Sequence, residues 1–127
     1  MNGKRNGKGK EYKYGKLRFK GEYLNGKRNG KGKEYGWNGK LIFEGEYMNG
    51  KRNGKGKEYG GDGQLRFEGE YLNGKKNGIG KEYDTLNGIL IFEGEYLNGE
   101  RIKIKEIWLM YKYLIKINLW FKYLKVY

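Results

Sequence analysis

The chain has 127 residues and contains no His, Cys, Pro, Ser or Ala. Each absence removes a chemistry. With neither imidazole nor thiol there is no His or thiolate metal site and no Cys or His catalysis. There is no serine nucleophile, Thr85 is the only aliphatic hydroxyl, and no Asn-x-Ser/Thr sequon occurs. Without cysteine there is no disulfide framework, which leads us to expect an intracellular, cytoplasmic protein. The opening "MNGKRNGKGK" has no apolar run of the kind a secretory leader carries. Asn2 excludes N-myristoylation. No cofactor is expected. What the chain has in excess is glycine, 24 residues, and tyrosine, 13.

The formal net charge is +13 and is unevenly placed. Residues 1–100 carry 21 Lys/Arg against 14 Asp/Glu, a net of +7, and residues 101–127 carry seven against one, a net of +6. Such an excess favours anionic surfaces, lipid or nucleic acid, without choosing between them.

Internal repetition decides the fold class. Residues 19–42 read "FKGEYLNGKRNGKGKEYGWNGKLI", residues 43–66 "FEGEYMNGKRNGKGKEYGGDGQLR", and residues 67–91 "FEGEYLNGKKNGIGKEYDTLNGILI". A partial copy occupies 92–100 and a headless one 1–18, so the array opens and breaks in mid-repeat. Divergent capping ends and a fragment of a longer array both account for that. The tail, 101–127, is a different kind of sequence.

Within each unit, Leu41, Phe43, Gly45 and Tyr47 alternate with Ile42, Glu44, Glu46 and Met48. Period two with aromatics predicts a strand. "KGKEY" predicts a second, shorter one. Asn-Gly dipeptides at 25–26, 38–39, 49–50, 73–74, 87–88 and 98–99 predict tight primed turns, which demand φ > 0. The expected architecture is mainly β, an elongated ribbon of antiparallel hairpins stacked side by side because one alone is marginal. The expected core is Phe19, Tyr23, Phe43, Tyr47, Phe67, Tyr71, Phe92 and Tyr96. Gly21, Gly45, Gly69 and Gly94 leave room for those rings.

The unit resembles the MORN repeat: "FEGEY", then "NGKRNGKG", then Tyr and a further "NG", with a period of about 24 over residues 1–100. Two positions depart from that family, which usually has His where Asn29, Asn53 and Asn77 stand and Tyr or Trp where Phe19, Phe43, Phe67 and Phe92 stand. The bacterial YwqK-type antitoxin-like repeats are a lesser match. The resemblance implies a twisted antiparallel ribbon and a non-catalytic module. It implies scaffolding at membranes or cytoskeletal structures, contacts with a protein partner, and binding of acidic phospholipids.

Three further patterns bear on chemistry. "GKRNGKGK" fails as a phosphate loop, because Gly26 and Gly30 enclose three residues where a P-loop has four and no Ser or Thr follows Lys31. Glu44 and Glu46, like Glu68 and Glu70, share a strand face and read as cross-strand ion pairs, since an open ribbon offers no pocket to raise one pKa. Lys27, Arg28, Lys31, Lys51, Arg52, Lys55, Lys75 and Lys76 are expected at equivalent turns, forming a basic stripe along one edge. That stripe would bind an anion or acidic lipid, or merely guard the edge.

The tail lacks Gly and Pro after Arg101. Lys105, Lys112 and Lys116 share an arc at 100° per residue, predicting a basic amphipathic helix with a wide apolar face. Trp108, Lys112, Lys116, Trp120 and Phe121 are the candidates for a membrane interface. Capping of the last hairpin and docking of a partner are the other two roles. The functional expectation is a non-enzymatic scaffold tethering a protein partner to an acidic membrane surface or cytoskeletal structure. The alternative is a purely protein-binding or self-associating array. Nucleic-acid binding is the weakest, because glutamates intersperse the lysines.

Overall fold

The computed structural model describes residues 3–102 and 104–126, with side chains described from 111 to 122 within the terminal helix. Nine strands run in chain order: β1 Gly7–Lys13, β2 Lys16–Leu24, β3 Lys27–Tyr35, β4 Leu41–Met48, β5 Lys51–Tyr59, β6 Leu65–Leu72, β7 Lys75–Tyr83, β8 Leu90–Leu97 and β9 Glu100–Arg101. They form one antiparallel sheet in which every strand pairs with its sequence neighbours, followed by α1, Ile104–Val126.

Connections alternate. On one edge the turns are two-residue and left-handed, with Asn25/Gly26 at φ 51/81°, Asn49/Gly50 at 51/86°, Asn73/Gly74 at 50/87° and Asn98/Gly99 at 50/91°. Asparagine tolerates that region and glycine has no Cβ to oppose it. Tyr14/Gly15 makes the same turn on the opposite edge. There the other connections are longer. Asn38-Gly39 lies inside residues 36–40, where the Gly39 N–H donates to the Gly36 carbonyl at 3.0 Å. Asn87-Gly88 likewise lies in a longer loop, so two of the six Asn-Gly pairs are not tight hairpin turns.

The second strand of each unit is longer than "KGKEY" suggests. It starts directly after Asn-Gly, at Lys27 in β3. Asn29 is therefore in the strand, and its Oδ1 accepts the Asn49 N–H of the next turn at 3.4 Å. Asn53 and Asn77 do the same for Asn73 and Asn98, and Asn6 for Asn25. These amides latch each tight turn to the one before it.

One face of the sheet is an aromatic ladder. Phe19, Phe43 and Phe67 are fully buried, and Tyr23, Tyr47, Tyr71 and Tyr96 nearly so. Phe19 meets Tyr47 edge to face at 5.2 Å, Phe43 meets Tyr71 at 5.3 Å, and Phe67 meets Tyr96 at 5.3 Å. This is the geometry the ring quadrupole favours. Phe92, at the end of the ladder, is only partly buried. A Cβ on Gly32 would stand 2.5 Å from the Phe19 ring, and one on Gly21 2.6 Å from the Lys31 carbonyl oxygen. Glycine here is a requirement of close approach.

Among the described residues no strand packs extensively against α1. Of its described side chains, Tyr111, Leu114, Leu119, Trp120 and Phe121 are exposed. At 100° per residue Lys112 and Lys116 share one arc, while Lys122 is displaced from it, with Ile115 and Leu119 between. Among the described residues no helix is long and apolar enough to cross a membrane.

Candidate functional site

The expected stripe of eight cations is not one surface. Cross-strand partners share a face, and Arg28 is opposite Tyr23 while Lys27 is opposite Leu24. Adjacent residues of one strand point to opposite faces. Arg28, Arg52 and Lys76 therefore lie on the aromatic face. Lys27, Lys51, Lys75, Lys31 and Lys55 lie on the other, with Lys31 opposite Glu46 and Lys55 opposite Glu70.

On the aromatic face the cations belong to the core. The Arg28 guanidinium stands 4.0 Å from the Phe19 ring centre, Arg52 3.9 Å from Phe43, Lys76 4.1 Å from Phe67 and Arg101 4.4 Å from Phe92. Carboxylates hold them there. Arg28 Nε donates to Glu11 at 2.7 Å, and Arg52 Nε and Nη2 donate to Glu34 at 2.8 and 2.6 Å. Arg28 also reaches Glu34, and Arg52 reaches Glu58, at 3.4 Å. Lys76 pairs with Glu58 at 3.7 Å, and Arg101 with Glu82.

Tyrosines close the network: the Tyr71 hydroxyl donates to Glu58 at 2.6 Å and the Tyr96 hydroxyl to Glu82. The Tyr47 hydroxyl is buried beside Glu34. Burial, then these carboxylates, raise the phenols of Tyr47, Tyr71 and Tyr96 well above their ordinary value. Burial opposes the charge on Glu82, but the donors Arg101 and Tyr96 hold its carboxyl below the usual range. Arg28, Arg52 and Lys76 are thus engaged with rings and carboxylates of the ladder face.

Most glutamates of the other face are also occupied. Between Gly21 and Tyr23 the pairing of β2 with β3 shifts, leaving Glu22 against a bulge at residues 29–31. Glu22 Oε2 accepts the Lys31 N–H at 2.9 Å. Glu46 does this for Lys55 and Glu70 for Ile79. Gly30, at φ 99°, makes room, since a Cβ there would stand 2.0 Å from Glu22 Oε2. Glu44 accepts the Tyr59 hydroxyl and Glu68 that of Tyr83, both at 2.6 Å. Burial and Glu44 push the Tyr59 phenol up to about 12. The carboxylate row is mostly bulge caps and tyrosine acceptors, and Glu93 makes the expected cross-strand ion pair, with Lys81 at 4.0 Å.

What the fold leaves presented is the tight-turn edge of this second face. Leu24, Met48, Leu72 and Leu97 are 52, 55, 49 and 59 % exposed. They stand opposite Lys27, Lys51, Lys75 and Glu100. One apolar residue thus recurs every two strands, roughly 10 Å apart, with a lysine opposite it in the first three places and Glu100 in the fourth. The opposite edge carries an exposed aromatic pair, Tyr14 stacked on Trp37 at 5.9 Å, with the Arg18 guanidinium 4.1 Å from the Trp37 ring centre. Lys116, Trp120 and Phe121 of α1 are exposed, as is Lys112; the Trp108 side chain is outside the described residues.

Sequence reading missed two sets of residues. Glu11, Glu34, Glu58 and Glu82 each recur in a Gly-Lys-Glu-Tyr run, and the fixed offset of Glu34 from Arg28 and of Glu58 from Arg52 is the available signal. Leu24, Met48, Leu72 and Leu97 were read as the outer half of an alternation, and their regular place before Asn-Gly was the clue.

A single sheet grown from one repeated hairpin, with charged groups serving the repeat and two presented edges, defines an open-faced β-repeat protein. The chain belongs to the MORN-repeat family: the MORN repeat matches residues 1–17, 19–40, 43–65 and 67–85. MORN repeats are in general interaction modules for proteins and membranes, and in general non-catalytic. No curated protein matches the chain.

Proposed function

We propose that this chain is a non-catalytic scaffold that holds a protein partner to an acidic membrane surface. The observation that carries the reading is the tight-turn edge, where exposed Leu24, Met48 and Leu72 alternate with Lys27, Lys51 and Lys75. Apolar side chains that enter the headgroup boundary, flanked by cations, are the composition of an interfacial contact. Each lysine near an anionic surface contributes about 1 kcal/mol, and a row on one rigid sheet engages together. The exposed Trp120, Phe121 and Lys116 of α1 support the same contact. The Tyr14–Trp37 cluster lies on the opposite edge and stays free for a protein.

The test is co-sedimentation of the full chain with phosphatidylcholine vesicles with and without phosphatidylserine. Binding is expected only with the acidic lipid, weakening as salt rises. The triple change Lys27→Glu, Lys51→Glu, Lys75→Glu abolishes it. Binding that survives this triple change removes the edge from the account. Charge reversal at Arg28 or Arg52 is unsuitable, because it strips the cover from Phe19 or Phe43.

A further inference from the structure

The two outer strands of the sheet are complementary. β1 pairs only with β2, and β8 is paired on its outer side by β9 alone, opposite Tyr96 and Leu97. The Ile102 N–H still donates to the Glu95 carbonyl at 2.9 Å. By the alternation of an antiparallel strand, Glu93, two residues back, also points its N–H and carbonyl outward. Nothing in the described residues meets them.

The sheet itself shows what covers such an edge. In β2, β4 and β6 the aromatic strand is followed by a strand ending Gly-x-Gly-Lys-Glu-Tyr, with Phe19 opposite Glu34, Phe43 opposite Glu58 and Phe67 opposite Glu82. β1 contains the same stretch, Gly7 to Tyr12, identical to residues 30–35 and 54–59. We propose that β1 of a second copy of this chain docks on the outer edge of β8, in that register, so that copies join head to tail.

The register puts Glu11 of the second copy opposite Phe92, Lys10 opposite Glu93 and Gly9 opposite Gly94. Three local deficits are met. Arg28 spans Glu11 and Glu34, and Arg52 spans Glu34 and Glu58. Arg101 is paired with Glu82, and Glu11 of the second copy supplies the second carboxylate. Phe92 is the only ladder phenylalanine left partly exposed, and Tyr23 of the second copy continues the ladder over it as Tyr47 does over Phe19. Lys10 faces Lys20 within its own copy, a like-charge pair, and gains a carboxylate in Glu93.

Residues 100–102 of the receiving copy and 4–6 of the incoming one contend for the same places. The first are held by β9 pairing. The second lie outside any strand, tied by the Gly26 N–H to Arg5 carbonyl and Asn25 N–H to Asn6 contacts, and give way. The interface is heterologous, so it builds rods rather than a closed dimer.

Sedimentation velocity of the full chain across a concentration series tests this. Species beyond dimer are expected to grow with concentration. Lys10→Pro removes an outward N–H of β1, and Glu93→Lys sets lysine against Lys10. Each variant stays monomeric at every concentration with an unchanged circular dichroism spectrum; the Glu93→Lys melt falls somewhat, because Glu93 also pairs with Lys81 at 4.0 Å within its own copy. Mixed together they form a one-to-one dimer and nothing larger, because one intact β1 and one intact β8 remain between them; recovery by mixing excludes misfolding. A wild-type chain that stays monomeric, association that survives Lys10→Pro, or a mixture that stays monomeric overturns the proposal.

Discussion

Phe43 and Gly54 show how much single residues carry in a sheet one layer thick. Phe43 is fully buried between Tyr47, Tyr71 and the Arg52 guanidinium. Phe43→Ala is expected to cost about 3–5 kcal/mol in denaturant unfolding, and Phe92→Ala less, because Phe92 is only partly covered. Gly54 sits at φ 102°, and a Cβ would stand 2.0 Å from Glu46 Oε2. Gly54→Ala should therefore cost about 2 kcal/mol or more through backbone strain and the clash. In a double-mutant cycle Glu46→Ala should recover part of that loss. The φ > 0 demand at Gly30 and Gly54 comes from the bulge, and a bulge leaves no mark on a period-two pattern.

The buried phenols give stability a sign at high pH. Burial, and then Glu34, Glu58 and Glu82, raise Tyr47, Tyr71 and Tyr96 above their unfolded value. The folded state therefore holds these protons more tightly than the unfolded chain. Stability from this source is complete below pH of about 10, where unfolded tyrosine starts to ionise, and falls as pH rises further. Phenolate absorbance of these three should appear together with loss of the β signal; ionisation inside an intact sheet would contradict their placement.

Among the elements, the tight turns and the aromatic strands were legible in the sequence, because Asn-Gly and "FEGEY" each state one local requirement. The faces of the second strand were not. Reading "NGKRNGKG" as a turn put Arg28 beside Lys27, whereas β3 begins at Lys27 and sends the two to opposite faces. Long-range partners decided this, and Glu11 is 17 residues from Arg28. For α1, a helix was expected and occurs, and its described side chains at 111–122 are largely exposed. Removing residues 103–127 should leave the thermal melt of the sheet within a degree or two. A large drop would mean that α1 covers part of the array.

For the whole molecule, the repeat converts weak local features into linear ones: a ladder, a row of bulge caps and an edge of alternating Leu or Met and Lys. An open array of this kind is stabilised by neighbour contacts, so its interior cations are spent on rings and carboxylates. Its surface lysines are what remain for an acidic partner. The most direct measurement is vesicle co-sedimentation of the wild-type chain beside the Lys27→Glu, Lys51→Glu, Lys75→Glu variant. The account predicts salt-sensitive binding to phosphatidylserine vesicles by the first and none by the second, with equal melts. Equal binding by both, or no binding by the wild type at low salt, would contradict it.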